Sequence, residues 1–186
     1  DSGDIVISSH DDGIHANADL TLENGSTGLG NISISGGDLE IVSDDDGIHA
    51  DYKLDITGGY IVIKESYEAI EGNIINFHGG VVEANASDDG INATNKIEDA
   101  YIYFKSGTVY VNASGDGLDS NGYIVMTGGN VIAIGPADGG NGVLDFDNTF
   151  KMTGGNLLLA GCSGMDQKPT LASGVSGSVM RQSNIY

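Results

Sequence analysis

Residues 32–50 read Ile32-Ser-Ile-Ser-Gly-Gly-Asp-Leu-Glu-Ile-Val-Ser-Asp-Asp-Asp-Gly-Ile-His-Ala50, and this run holds one full copy of the unit from which the chain is built. An alternating apolar pair leads into a glycine pair, a second alternating pair follows, and an acidic corner closes on Gly-Ile-His-Ala. Each part returns along the chain. Glycine pairs or near equivalents stand at Gly36-Gly37, Gly58-Gly59, Gly79-Gly80, Ser106-Gly107, Gly128-Gly129 and Gly154-Gly155, at spacings of 22, 21, 27, 22 and 26 residues. The corner recurs as Asp-Asp-Gly-Ile-His-Ala at 11–16 and 45–50, Tyr-Glu-Ala-Ile-Glu-Gly at 67–72, Asp-Asp-Gly-Ile-Asn-Ala at 88–93 and Gly-Asp-Gly-Leu-Asp-Ser at 115–120. In four units the second acidic residue (Asp46, Glu68, Asp89, Asp116) falls ten positions after the first residue of the pair. Constant offsets require constant geometry, so the period of about 22 residues is a structural repeat.

Period-two alternation makes the segments beside each glycine pair strands, because successive side chains on a strand point to opposite faces. Before the pairs, one apolar column runs Ile32, Leu54, Ile75, Ile102, Ile124, Phe150, and a second runs Ile34, Ile56, Phe77, Phe104, Met126, Met152. After them come Leu39/Ile41, Ile61/Ile63, Val82/Ala84, Val109/Val111, Val131/Ala133 and Leu157/Leu159. Two such strands plus a short Gly-Ile-x-Ala segment make one rung of a three-sided parallel β-helix, with like residues stacked ~4.8 Å apart. The fold class expected is therefore all-β, a solenoid in one domain over 1–186. Its repeats span about 4–161, and 162–186 form a capping segment, since the pattern lapses after Gly161. Ser26–Gly30, Thr94–Ala100 and Pro136–Asn141 depart from the period and are read as surface excursions, where binding groups tend to be placed.

Composition narrows the function. The 186 residues carry 27 Asp+Glu against 7 Lys+Arg, a net charge of −20, which opposes nucleic-acid binding through a basic face and favours cationic partners. The chain is 39% hydrophobic, enough to close a core, so it is not a disordered acidic tail. Cys162, the single cysteine, rules out an internal disulfide framework and is read as a core or capping thiol. No run approaches the roughly 18 apolar residues of a membrane span. The chain starts at Asp1 rather than Met, which fits removal of a signal or upstream segment.

Stacking the rungs turns the corners into columns. One holds Asp12, Asp46, Glu68, Asp89 and Asp116; beside it run Asp11, Asp45, Tyr67, Asp88 and Gly115; three positions on come His15, His49, Glu71, Asn92 and Asp119. Two unit charges ~4.8 Å apart repel by roughly 3 kcal/mol at an effective dielectric near 20. Protons or divalent cations must offset this, and oxygen ligands on successive rungs suit Ca²⁺. The metal candidates are Asp11, Asp12, Asp45, Asp46, Glu68, Glu71, Asp88, Asp89, Asp116 and Asp119. The plainer reading is that Asp-Asp-Gly only makes the turn, its aspartates capping amides and its glycine supplying positive φ. His15 and His49 offer either a stacked, hydrogen-bonded pair, the simpler expectation, or a small Zn²⁺ site with Asp12 and Asp46.

Together with Asn141-Gly-Val-Leu-Asp-Phe-Asp147, Thr153-Gly-Gly155 and Gly161-Cys-Ser-Gly-Met165, these corners make the chain resemble a bacterial carbohydrate-binding family with a polysaccharide-lyase-like β-helix, known from cellulolytic clostridia. The resemblance runs over roughly 4–165. It implies a calcium-bearing, right-handed β-helix, secreted or attached to the bacterial cell surface, that binds plant cell-wall polysaccharide, cellulose or acidic sugars such as polygalacturonate, without cleavage. The family's calcium-binding corners carry over to Asp11-Asp12, Asp45-Asp46, Asp88-Asp89 and Asp116. Tyr67-Glu68-Ala69 and Gly115 depart from the pattern.

Bound Ca²⁺ bridging protein and uronate carboxylates would let an acidic protein take an acidic polymer. Neutral chains need aromatic faces, for which Tyr60, Tyr101, Tyr103, Tyr110 and Tyr123 lie on outward positions, although such tyrosines also serve ordinary cross-strand packing. A calcium-assisted lyase acting by β-elimination is the alternative, with Lys64 as base; neighbouring carboxylates favour its charged form and oppose that role. A calcium-rigidified adhesin is a third reading. Oligomeric state is not legible.

Overall fold

The structure is a computed structural model that describes residues 3–18, 28–137, 139–162, 165, 167–173 and 179–183. Part of the Ser26–Gly30 excursion and much of the expected capping segment lie outside the described residues. Sixteen strands and no helix are found among those described: β1 (Asp4–Ser9), β2 (Ile14–Ala16), β3 (Asn31–Ser43), β4 (Ile48–Glu65), β5 (Ile70–Phe77), β6 (Val81–Ala86), β7 (Ile91–Ala93) and β8 (Tyr101–Phe104). They continue as β9 (Thr108–Ala113), β10 (Leu118–Ser120), β11 (Tyr123–Met126), β12 (Asn130–Ile134), β13 (Thr149–Met152), β14 (Asn156–Gly161), β15 (Thr170–Leu171) and β16 (Val179–Ser183). All belong to one sheet, and the pairings described are parallel.

Three ladders organise that sheet. In the first, the early part of β3, then β4, β5, β8, β11, β13 and β15 pair in turn, and Ile32, Leu54, Ile75, Ile102, Ile124 and Phe150 are successive partners, as their column requires. The second takes β1, the later parts of β3 and β4, then β6, β9, β12, β14 and β16, with Ile41, Ile63, Ala84, Val111, Ala133 and Leu159 in register. The third joins β2, the starts of β4 and β5, β7 and β10. β15 and β16 thus add a strand to each of two ladders beyond Gly161, where the sequence pattern had lapsed.

The apolar columns meet in one core. Phe77, Phe104 and Phe150 are among its largest fully buried side chains, and the Phe77 and Phe104 rings stack at 5.1 Å. Each such side chain taken from water contributes ~1.5–3 kcal/mol, which is how short strands with few local contacts hold together. The glycines divide the turning work differently from the reading above. Positive φ belongs to the second glycine of each pair, Gly37, Gly59, Gly80, Gly107, Gly129 and Gly155, where the chain turns from the first ladder to the second. The glycine of Asp-Asp-Gly does not adopt it. A Cβ at Gly47 would come within 2.6 Å of the Ala69 carbonyl oxygen, and one at Gly90 within 2.6 Å of that of Gly117, so this glycine is needed because the next rung's backbone passes so close.

Candidate functional site

The third ladder carries the acidic corner, and its register brings the expected columns together. His15 pairs with His49, His49 with Glu71, Glu71 with Asn92, and Asn92 with Asp119. An open groove of 430 Å³ is lined by Asp11, Asp12, His15, Asp45, Asp46, His49, Tyr67, Glu68 and Glu71. Further along, Asp116, Asp119 and Asp145 each place a carboxylate oxygen within 4.8 Å of the others. Asp145, within the Asn141–Asp147 stretch but not among the metal candidates above, follows Asp119 by 26 residues, the same interval that separates Gly128 from Gly154.

Three of the second aspartates, Asp12, Asp89 and Asp116, divide their two oxygens. One accepts a backbone N–H of the following rung: Asp46 N donates to Asp12 Oδ1 at 3.0 Å, Asp116 N to Asp89 Oδ1 at 2.6 Å and Gly142 N to Asp116 Oδ1 at 2.5 Å. The amide-capping reading is therefore observed. It consumes one oxygen of these three carboxylates and leaves the other for a different partner.

Crowding and burial set the protonation of the column. Burial pushes the Glu68 carboxyl up to about 8 against the pull of the Asn92 amide, with the charges of Asp46, Glu71 and Asp89 adding to the rise. Burial likewise holds Asp89 at about 6, and Asp119 at about 7 with the help of Asp89, Asp116 and Asp145. Asp116 and Asp46 are raised, both chiefly by burial. Glu71 goes the other way: burial opposes its ionisation, but the Lys96 hydrogen bond and the His49 charge outweigh that and lower it. His49 is raised, because its hydrogen bond to Asp46 and the Glu71 charge overcome burial.

Lys96, among the described residues, is a corner cation that the sequence pattern does not mark. It sits on the Thr94–Ala100 excursion, 3.0 Å from Glu71 Oε1 and 3.4 Å from His49 Nε2. Fully buried Asn73 holds that excursion, its Nδ2 donating to the carbonyls of Thr94 (2.8 Å) and Glu98 (2.9 Å) while Oδ1 accepts from Glu98 N (2.9 Å). A lone Lys in an irregular loop carries no signal of what it will touch.

The late rungs suit a hard cation. Their donors are all oxygen, the chemistry Ca²⁺ prefers. Asn92 Oδ1 is buried with no hydrogen-bond partner, while its Nδ2 lies 3.0 and 3.1 Å from the Glu68 carboxylate oxygens. Gly115 leaves space that a Cβ would fill, against Asp89 Oδ1 and, at 2.6 Å, Asp88 Oδ1.

The tyrosines separate into groups. Tyr101 and Tyr123 are partners on β8 and β11 with rings stacked at 4.9 Å, and Tyr103 stacks on Tyr101 at 5.1 Å with Lys105 Nζ 4.9 Å from its ring centroid. Tyr60 and Tyr110 lie on the second ladder; Tyr60 is 42% exposed and its hydroxyl donates to Glu83 Oε1 at 2.9 Å. Lys64 forms an ion pair with Glu40 at 2.5 Å and lines a different groove, with Ser43, Asp44, Ser66 and Asn85. Cys162 is half-buried, its N–H donating to the Pro136 carbonyl at 2.8 Å.

The strand ladders and the acidic column are those of a repetitive all-β binding module. A family model described as carbohydrate-binding domain-containing protein matches residues 1–98 and 53–167. The chain belongs to this carbohydrate-binding family, and the two matched stretches overlap, as a repeated unit allows. No curated protein and no solved structure matches it. No helix among the described residues is long and apolar enough to cross a membrane.

Proposed function

We propose that this chain is a calcium-dependent binder of plant cell-wall polysaccharide, acting without cleavage outside the bacterial cell, secreted or surface-attached, and built as a right-handed three-sided parallel β-helix. The three ladders and the period of about 22 residues support the architecture. One observation carries the calcium role: a column of carboxylates raised by burial, beside an Asn92 oxygen with no partner, on a chain of a carbohydrate-binding family. Asp88, Asp89, Asp116, Asp119 and Asp145 would hold the ion most directly, with Asp11, Asp12, Asp45, Asp46, Glu68 and Glu71 further along the same column. Bound calcium supplies positive charge and open coordination positions for oxygen ligands.

The protein's own part is electrostatic and steric. At −20 the chain repels a polyuronate, and the attraction exists only where the column's charge is locally reversed. Asp12, Asp89 and Asp116 spend one oxygen on the neighbouring rung's backbone, which fixes where the other points. Neutral glucan falls to the Tyr101, Tyr103 and Tyr123 cluster, whose near-parallel rings present an aromatic surface. Lys64 is held by Glu40, so the binding reading needs nothing from it.

Retention on polygalacturonate and on cellulose, each with and without chelator, tests the proposal. Polygalacturonate retention should vanish in chelator and return with Ca²⁺; retention indifferent to chelator overturns the calcium role. Tyr101→Ala or Tyr123→Ala should weaken cellulose retention by about fivefold, the worth of one ring contact near 1 kcal/mol, and spare polygalacturonate.

A further inference from the structure

We propose that the early rungs of the corner form a second cation site of different chemistry, in which His15, His49 and Asp12 bind a borderline divalent cation of the zinc and cobalt kind, with solvent in the remaining position. The ladder creates the set. His15 and His49 are register partners on β2 and β4, and their rings stack at 4.5 Å and 16°, so the two imidazoles present the same edge to the same side. Each has an aspartate three residues earlier, with His15 Nδ1 2.9 Å from Asp12 Oδ2 and His49 Nδ1 3.1 Å from Asp46 Oδ2. Asp12 Oδ2 also lies 3.7 Å from His49 Nδ1, which ties the two rungs together.

These separations match the ion proposed. Ligands at ~2.0–2.1 Å from a tetrahedral zinc stand about 3.3 Å from one another; Asp12 Oδ2 lies 2.9 and 3.7 Å from the two Nδ1 atoms, and the ligand atoms of Asp12, His15 and His49 all lie within 4.8 Å of one another. Asp12 already gives Oδ1 to the Asp46 N–H, leaving Oδ2 for the site. On the far edge of the rings, Asp51 Oδ1 lies 3.2 Å from His49 Nε2 and 3.8 Å from His15 Nε2, while Asp51 Oδ2 is fixed by the Ala18 N–H at 2.8 Å. A carboxylate on the outer nitrogen turns the inner nitrogen's lone pair towards a metal, an arrangement common behind metal-bound histidines. Lys96 Nζ lies 3.4 Å from His49 Nε2 and 3.0 Å from Glu71 Oε1, while Glu71 Oε2 stays 3.2 Å from His49 Nδ1 and competes with an ion for that nitrogen. The His15 side chain is 37% exposed, which gives an ion access from solvent.

Donor type separates this site from the late rungs. Imidazole nitrogen favours zinc, cobalt and nickel over calcium and magnesium, whereas Asp116, Asp119 and Asp145 offer oxygen alone. The filled site would clamp β2 onto β4, and it stands whether or not the polysaccharide reading does.

Cobalt titration of the calcium-saturated protein, followed by visible absorption, tests the proposal with the late-rung oxygen sites already filled and calcium competing for Asp12. One Co²⁺ per chain should produce a strong visible band that Zn²⁺ displaces and excess Mg²⁺ does not. His15→Ala and His49→Ala should each weaken the binding by about tenfold or more, and Asp116→Asn should leave it unchanged. Absence of the band, or its persistence undiminished in the His15→Ala/His49→Ala double variant, overturns the site. On the unaltered protein, Zn²⁺ should shift the imidazole ¹⁵N resonances of His15 and His49 in the same sample; unmoved resonances overturn it without recourse to any variant.

Discussion

At Gly90 a single added methyl group has nowhere to go: it would press on the Gly117 carbonyl and on Val111 Cγ1. Gly90→Ala should therefore cost ~1–3 kcal/mol in chemical unfolding, the usual penalty of overpacking. Rung three carries Ala69 at the equivalent position, fully buried, so the constraint belongs to each rung's closeness to the next rather than to the corner as such. Asp119 makes the opposite case. Its carboxyl is held at about 7 by burial and by four like charges, so Asp119→Asn should stabilise the metal-free protein at pH 8 by on the order of 1–2 kcal/mol, while reducing the stability gained from added calcium. Thermal unfolding with chelator and with Ca²⁺ reads both effects. The partners of these residues along the chain were legible from offsets alone. The glycine's reason was not, because positive φ and close approach leave the same residue in the sequence.

Among the elements, the Thr94–Ala100 excursion has no counterpart in the repeat, yet it places the cation on Glu71. Its hold is Asn73, which makes three hydrogen bonds to it from a fully buried position. Asn73→Ala leaves those backbone groups without partners and should cost ~2–3 kcal/mol, with faster amide exchange confined to 94–99 as the local signature. Inside the ladders the expected penalty is larger. Phe104→Ala empties a site in the middle of the core beside Phe77 and should cost ~3–5 kcal/mol in the same assay. Strand positions such as Phe104 could be placed because period-two patterning is written into neighbouring residues. Lys96 and Asp51 could not, because an ion pair across an irregular loop depends on where the loop lands.

For the whole molecule, charge is the dominant variable. In the metal-free chain Glu68, Asp119 and Asp89 keep their protons up to about 8, 7 and 6, whereas an unfolded chain releases them near pH 4. Between those limits the folded state binds more protons, so stability is greatest near pH 4 and falls as pH rises through 6 to 8. Asp46 and Asp116, also raised, act in the same sense, and Glu71 and Asp51, both lowered, in the opposite one. Self-repulsion of a chain at −20 adds to the fall. The melting temperature in chelator should therefore be higher at pH 5 than at pH 8, and Ca²⁺ should remove most of that difference. A metal-free protein more stable at pH 8 would mean that the column is solvated rather than buried.

The residues alone determined the repeat, the core columns and the vertical order of the acidic corner, since a fixed offset along the chain becomes a fixed position in every rung. Asp145 belongs to that pattern at the longer interval of 26 residues. Only the tertiary structure decided which carboxylates keep protons, that Lys96 answers Glu71, that Asp51 backs both histidines, and that three tyrosines cluster while Tyr60 turns to Glu83. Register follows from periodicity, which is local. Charge state and pairing follow from burial and from distances across segments of unequal length, which no period encodes.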